Sequence, residues 1–127
     1  MFNYTVETSK SRDEAVQVLE EKLKEAKFGV LWNFDLTAKL QEKGESFDTP
    51  FTVLEVCNPQ EANRVLSEDL MIGYFLPCKI VVYEENGITK IGMPKPSALT
   101  EMVENESIKK IAVEIEERLI GCIDKSV

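Results

Sequence analysis

Phe2, Tyr4 and Val6 alternate with Asn3, Thr5 and Glu7, a period of two that predicts a half-buried strand. The period then changes. Ala15, Val16, Leu19, Leu23 and Ala26 recur at helical spacing behind Ser11, an N-cap with Glu14 three residues on as its capping-box partner. Glu20, Glu21, Lys22, Lys24 and Glu25 fill the opposite face, which reads as solvated surface. Alternation resumes at Phe28, Val30, Trp32 and Phe34 and predicts a second strand. Asp35 or Thr37 can cap a short helix through Ala38 and Leu40 that ends before Gly44, and Glu45 to Pro50 is a polar loop. Phe51 to Cys57 is apolar on both faces except at Thr52 and Glu55, the pattern of a central strand.

Asn58-Pro59-Gln60-Glu61 starts a helix: Asn58 caps, Pro59 takes the first helical position, and Glu61 completes a box. That helix carries Ala62, Val65 and Leu66 and ends near Ser67 or Glu68. Cys78 to Glu84 and Ile88 to Met93 flank Glu85-Asn86-Gly87, and Asn-Gly between two apolar runs predicts a hairpin. Pro94 and Pro96 close the second arm, and a short helix is expected over Ser97 to Val103. Ile108, Ile111, Ala112, Ile115, Leu119 and Ile123 make the stripe of a long last helix, which needs an apolar surface to lie on. The order of elements is strand, helix, strand, short helix, strand, helix, hairpin, helix. It predicts one α+β domain over residues 1–127, with a mostly antiparallel sheet of about five strands, helices on one face, and the C-terminal helix packed on the sheet.

Composition narrows the function. Lys and Arg number 15 against 23 Asp and Glu, a net charge of −8. Nucleic acids and anionic membrane surfaces both call for a positive face, so neither is an expected partner. The chain has no histidine, which removes histidine triads, bases and metal ligands. No apolar segment follows a basic start, and the densest apolar run, Leu70 to Tyr83, is broken by Gly73, Pro77 and Lys79. Neither a secretory signal nor a membrane span is expected. Three cysteines, an odd number, then read as free thiols in a reducing cytosol.

Several residues carry more than local structure. The strand entering Cys57-Asn58-Pro59 is followed by Ala62. Ile72-Gly73-Tyr74-Phe75-Leu76-Pro77-Cys78 leads into Val81-Val82-Tyr83, and Gly87 precedes Pro94. In these residues, and in the elements before and after them, the chain resembles the bacterial and archaeal family named domain of unknown function 302. The resemblance implies a compact α+β domain with a curved antiparallel sheet and a long C-terminal helix packed on it. It implies no established activity.

Three constellations are candidates for chemistry. Cys57 precedes an Asn-capped helix, where negative charge is favoured, so it is a candidate low-pKa thiol; packing near Ala62 as a hydrophobic staple is the plainer role. If the strands of Cys57 and Cys78 are neighbours, the pair could form a reversible disulfide or share a soft metal, or be two core cysteines. Cys122 falls on the last helix and reads as packing. Leu70 to Pro77 is long and apolar for a connection. Tyr74, Phe75, Leu76 and Pro77, with Asn58, are candidate ligand-binding or interface residues, forming a pocket lip or dimer contact; the alternative is a buried extended segment crossing the sheet edge. Glu55 and Asp35 are a candidate acid–base pair; the plainer reading is a Glu55 that faces solvent at a strand edge or pairs with a Lys, and an Asp35 that caps a helix.

No glycine-rich phosphate loop is present. The expected function is a small cytosolic ligand-binding or assembly domain without catalytic activity, forming a homodimer and taking a small apolar ligand. A thiol redox or soft-metal site at Cys57 and Cys78 is the alternative, and a carboxylate enzyme the third.

Overall fold

The computed structural model describes residues 1–127. Five strands, β1 (Asn3–Thr8), β2 (Gly29–Asp35), β3 (Phe51–Cys57), β4 (Cys78–Glu85) and β5 (Ile88–Pro94), form one open sheet in the order β1-β5-β4-β3-β2. Every pairing is antiparallel. The helices are α1 (Arg12–Glu25), α2 (Leu36–Glu42), α3 (Pro59–Leu66), α4 (Pro96–Leu99) and α5 (Glu106–Asp124). Two 3-10 turns, Leu70–Phe75 and Thr100–Met102, lie in the connections. This is the α+β fold expected from the sequence.

Local chemistry sets the helix starts. Ser11 and Glu14 form the reciprocal capping box at the head of α1. The side chain of Asp35 accepts from Ala38 N and caps α2, while Thr37 accepts from Phe51 N and donates to the carbonyl of Thr49. Asn58 caps α3 by accepting from Glu61 N at 3.1 Å, and Pro59 takes the position where an N–H would have no partner. The return bond of the expected box is replaced: Glu61 turns instead to Arg64, 3.4 Å away. At the β4–β5 hairpin, Asn86 (φ 54°) and Gly87 (φ 78°) both adopt the left-handed conformation that a tight two-residue turn requires.

Helices α1 and α5 pack on one face of the sheet. Leu54 and Val56 of β3, Ile80 and Val82 of β4, and Ile91 of β5 point into that layer and are fully buried with Leu19, Leu23, Leu119 and Ile123. Neither long helix covers the other face.

The strand expected to be covered on both sides, β3, is covered on only one. Thr52, Leu54 and Val56 are buried, and Phe51, Val53, Glu55 and Cys57 alternate with them half-exposed. Central placement belongs to β4, with β3 one strand further out. The apolarity of the second face is met by neighbouring side chains: Phe51 stacks on its cross-strand partner Tyr83 with ring centroids 5.2 Å apart.

The second strand departs from its expected alternation. Lys27 (φ 66°) turns the chain out of α1, and Phe28 drops into the core beneath the guanidinium of Arg118, 4.8 Å above its ring. A bulge then falls between Val30 and Trp32. One extra residue reverses the direction of every later side chain. Val30 therefore faces the helices, while Trp32 and Phe34 stack on the opposite face with centroids 4.7 Å apart. Asn33 and Asp35 take the helix side instead, donating to Glu20 of α1 and pairing with Arg12 respectively.

Candidate functional site

The connection from β3 to β4 is what opens a site. Helix α3 lasts eight residues, and Asp69 then caps a 3-10 turn by accepting from Met71 N at 2.9 Å. The turn sends Ile72 into the core and leaves Leu70 and Tyr74 each 81% exposed. The chain re-enters the sheet through a cis Leu76–Pro77 bond. This segment is not the buried extended crossing considered from sequence.

Between the turn, the first residues of β4, the end of β5 and α5 lies a cavity of about 660 Å³. Its lining has 20 residues, of which 14 are hydrophobic, so burial of apolar surface dominates what it offers a ligand. Val65, Ile72, Met93 and the α5 residues Ile108 and Leu119 are buried and form the floor; Leu31, Trp32 and Tyr74 are exposed and form the rim.

Of the residues singled out in the sequence, Tyr74, Phe75, Leu76, Pro77 and Cys78 all line this cavity. Asn58 does not. It is buried, its side-chain oxygen occupied by the α3 cap and its nitrogen donating to the carbonyl of Lys27 at 3.0 Å. Its role is to tie α3 to the connection between α1 and β2.

Cys57 and Cys78 lie on adjacent antiparallel strands, with Cys78 directly opposite Val56. Successive side chains on a strand point to opposite faces, so Cys78 joins Val56 on the helix side and Cys57 projects away from it. Both are free thiols, as is Cys122, which donates weakly to the carbonyl of Lys22 at 3.6 Å. Burial pushes the Cys78 thiol up to about 11, with smaller upward contributions from Cys57 and Glu55. Burial also raises Cys57, against the lowering that a helix start alone would give. Both thiols are therefore protonated near neutrality. No group of three or more cysteine, aspartate or glutamate side chains is placed to hold a metal ion.

The carboxylates do not converge. Asp35 sits opposite buried Thr52 on the helix side, where it caps α2 and stands 3.6 Å from Arg12. Glu55 faces the other way, opposite Trp32 on β2 and Lys79 on β4. Its oxygen is 3.9 Å from Lys79 Nζ, an ion pair at the outer limit of contact. Paired action of Asp35 and Glu55 on one substrate is excluded by this geometry. Glu55 and Lys79 instead belong to the cavity lining.

Several lining residues escaped the sequence reading. Trp32 was placed in a regular strand, and only the bulge brings it to the rim. Ile108, Ala112, Ile115 and Leu119 were assigned wholly to packing. The signal available was the broad stripe on α5 combined with Pro94, which ends β5, and Pro96, which starts α4, both of which line the cavity beside α5.

No helix is long and apolar enough to cross a membrane. Among curated proteins, nothing matches the chain. A solved structure described as the crystal structure of an uncharacterized conserved DUF302 protein from Bacillus stearothermophilus is similar throughout. Its TM-score is 0.97 and its identity 58%, with 100% of this chain and 99% of that one covered. The sequence model of the family described as "Domain of unknown function DUF302" matches residues 4–126, nearly the full length. The chain thus belongs to the DUF302 family.

Proposed function

We propose that this domain binds a small, mainly apolar molecule in the cavity beneath the 3-10 turn, and that binding rather than catalysis is its activity. The observation that carries this reading is the cavity itself: about 660 Å³, with 14 hydrophobic residues among 20. Ligand sites typically measure about 300–1,000 Å³ and are lined in this way, with few polar groups to set orientation. Trp32 is the only tryptophan of the chain and stands on the rim, so its fluorescence reports occupancy. Titration of the protein with decanol should give a saturable change in Trp32 emission, and Ala112→Phe, which extends a side chain into the cavity, should abolish it. A linear, non-saturating response in the parent protein would sink the proposal.

A second reading, association into a homodimer, is supported by the exposure of Leu70 and Met71 on the same turn, outside the cavity lining, beside exposed Tyr74 at the rim. Contiguous exposed apolar side chains favour contact with another surface. Sedimentation of the parent against Met71→Lys tests it: the dimer should dissociate in the variant, and a monomeric parent removes the reading. The net charge of −8 supports ligands and partners other than nucleic acid or anionic membrane, and the three free thiols support a cytosolic location.

A further inference from the structure

The cavity is apolar, but its rim carries one unequal ion pair. Glu55 and Lys79 face each other across β3 and β4, 3.9 Å apart, with side-chain exposures of 17% and 52%. Lys79 is the single ionic partner of the Glu55 carboxylate. Trp32 lies opposite Glu55 on the other side, in direct register on β2, and all three residues line the cavity. Directly opposed residues on one sheet face hold their Cβ atoms about 5 Å apart, so an indole and a carboxylate adjoin at the mouth.

We propose, building on the cavity reading above, that the ligand is a cationic amphiphile. Its apolar tail lies in the cavity, and its amine or ammonium head rests between the Glu55 carboxylate and the Trp32 ring. The inequality of the ion pair decides the sign of the head. An anionic head would take Lys79 and leave Glu55, the more enclosed partner, with no counter-charge. A cationic head takes Glu55 and releases Lys79, whose ammonium is already half in water and is easily rehydrated. An anionic head would also set a second negative charge beside Glu55, and like charges side by side repel, whereas the freed Lys79 ammonium simply turns into water. Trp32 adds a second preference in the same direction, because the face of an indole attracts cations and not anions. The net charge of −8 raises the local concentration of cations around the whole molecule.

The test is a matched series of ten-carbon probes, decylamine, decanol and decanoate, titrated calorimetrically into the full chain at pH 7 below their aggregation thresholds. Decylamine should bind roughly five- to tenfold more tightly than decanol, as expected for a cation over an indole beside a carboxylate. Decanoate should bind no better than decanol. Glu55→Gln should collapse the decylamine-to-decanol affinity ratio, with both probes measured on the same variant, to within about twofold of one. Lys79→Met should tighten decylamine, because it removes the competing ammonium. Decanoate binding more tightly than decylamine overturns the proposal, as does an amine-to-alcohol ratio unaffected by Glu55→Gln. In both cases decanol still binds and the cavity reading stands. Failure of all three probes overturns the cavity reading and this one together.

Discussion

The two faces of the sheet are built from the same five strands by opposite means. On the helix side, Leu54, Val56, Ile80, Val82 and Ile91 are fully buried aliphatic side chains sealed by α1 and α5. On the far side, aromatic stacks and cross-strand ion pairs do the covering: Trp32 on Phe34, Phe51 on Tyr83, Glu55 with Lys79, and Lys90 with Glu85 at 2.7 Å. Aliphatic side chains need an opposing layer to leave water, whereas large flat rings and paired charges can shield one another within a single layer. Stability should therefore be concentrated on the first face. The cavity opens at the end of the sheet where both systems are incomplete.

The largest test of this contrast is truncation on each side. Leu54→Ala removes a fully buried side chain from the sealed layer and should cost about 2–5 kcal/mol in urea unfolding. Phe34→Ala, on the bare face, removes a larger side chain from a site that water already reaches. It should cost less, on the order of 1–2 kcal/mol including the lost stack on Trp32. Equal losses for the two variants would show that the far face is also a core, covered by something other than α1 and α5.

Alkaline pH probes the boundary between the faces at Cys78. Its folded pKa is about 11 against an ordinary 9.0, so between those values the unfolded chain has released a proton that the folded chain retains. Stability is then fully present below pH 9 and falls as pH rises through about 11, by up to roughly 3 kcal/mol for this group. Cys57 and Cys122, whose pKa values are also raised by burial, act in the same direction. Urea midpoints measured from pH 7 to 10.5 should decline above pH 9, and Cys78→Ala should flatten that decline. An unchanged slope in the variant would place the Cys78 thiol in water rather than in the cavity wall.

The sequence made the covered face legible because that face obeys simple periods. The stripe on α1, the stripe on α5 and the Asn-Gly turn each rest on one local rule, and each element formed where the rule put it. The second face was harder because β2 breaks its own period. No residue type announces a bulge after Val30, since the extra residue is an ordinary leucine, and one inserted residue sends Trp32 to the side opposite its expected partners. The lip of the cavity was legible as an anomaly, an apolar connection where polar residues are normal. Its floor was not, because an α5 residue that packs on the sheet and one that lines a void share the same spacing. The 3-10 turn also escaped, since Leu70 to Phe75 lacks the periodicity of either helix or strand.

The smallest expected effect comes from the ion pair on the bare face. Lys79→Met removes the only charge partner of Glu55, and the intuitive outcome is a clear loss of stability. At 3.9 Å, with one partner half-exposed, the pair contributes no more than about 0.5 kcal/mol, because the separation is long and water screens the ammonium. The methionine keeps most of the apolar stem, so the cavity lining contributed by this position is preserved. The urea midpoint should therefore stay within error of the parent at pH 7. A drop of several kcal/mol would mean that Glu55 is held in a far drier setting than its 17% exposure implies. The bare face would then depend on that pair, as the covered face depends on its aliphatic layer, and the contrast between the two would narrow.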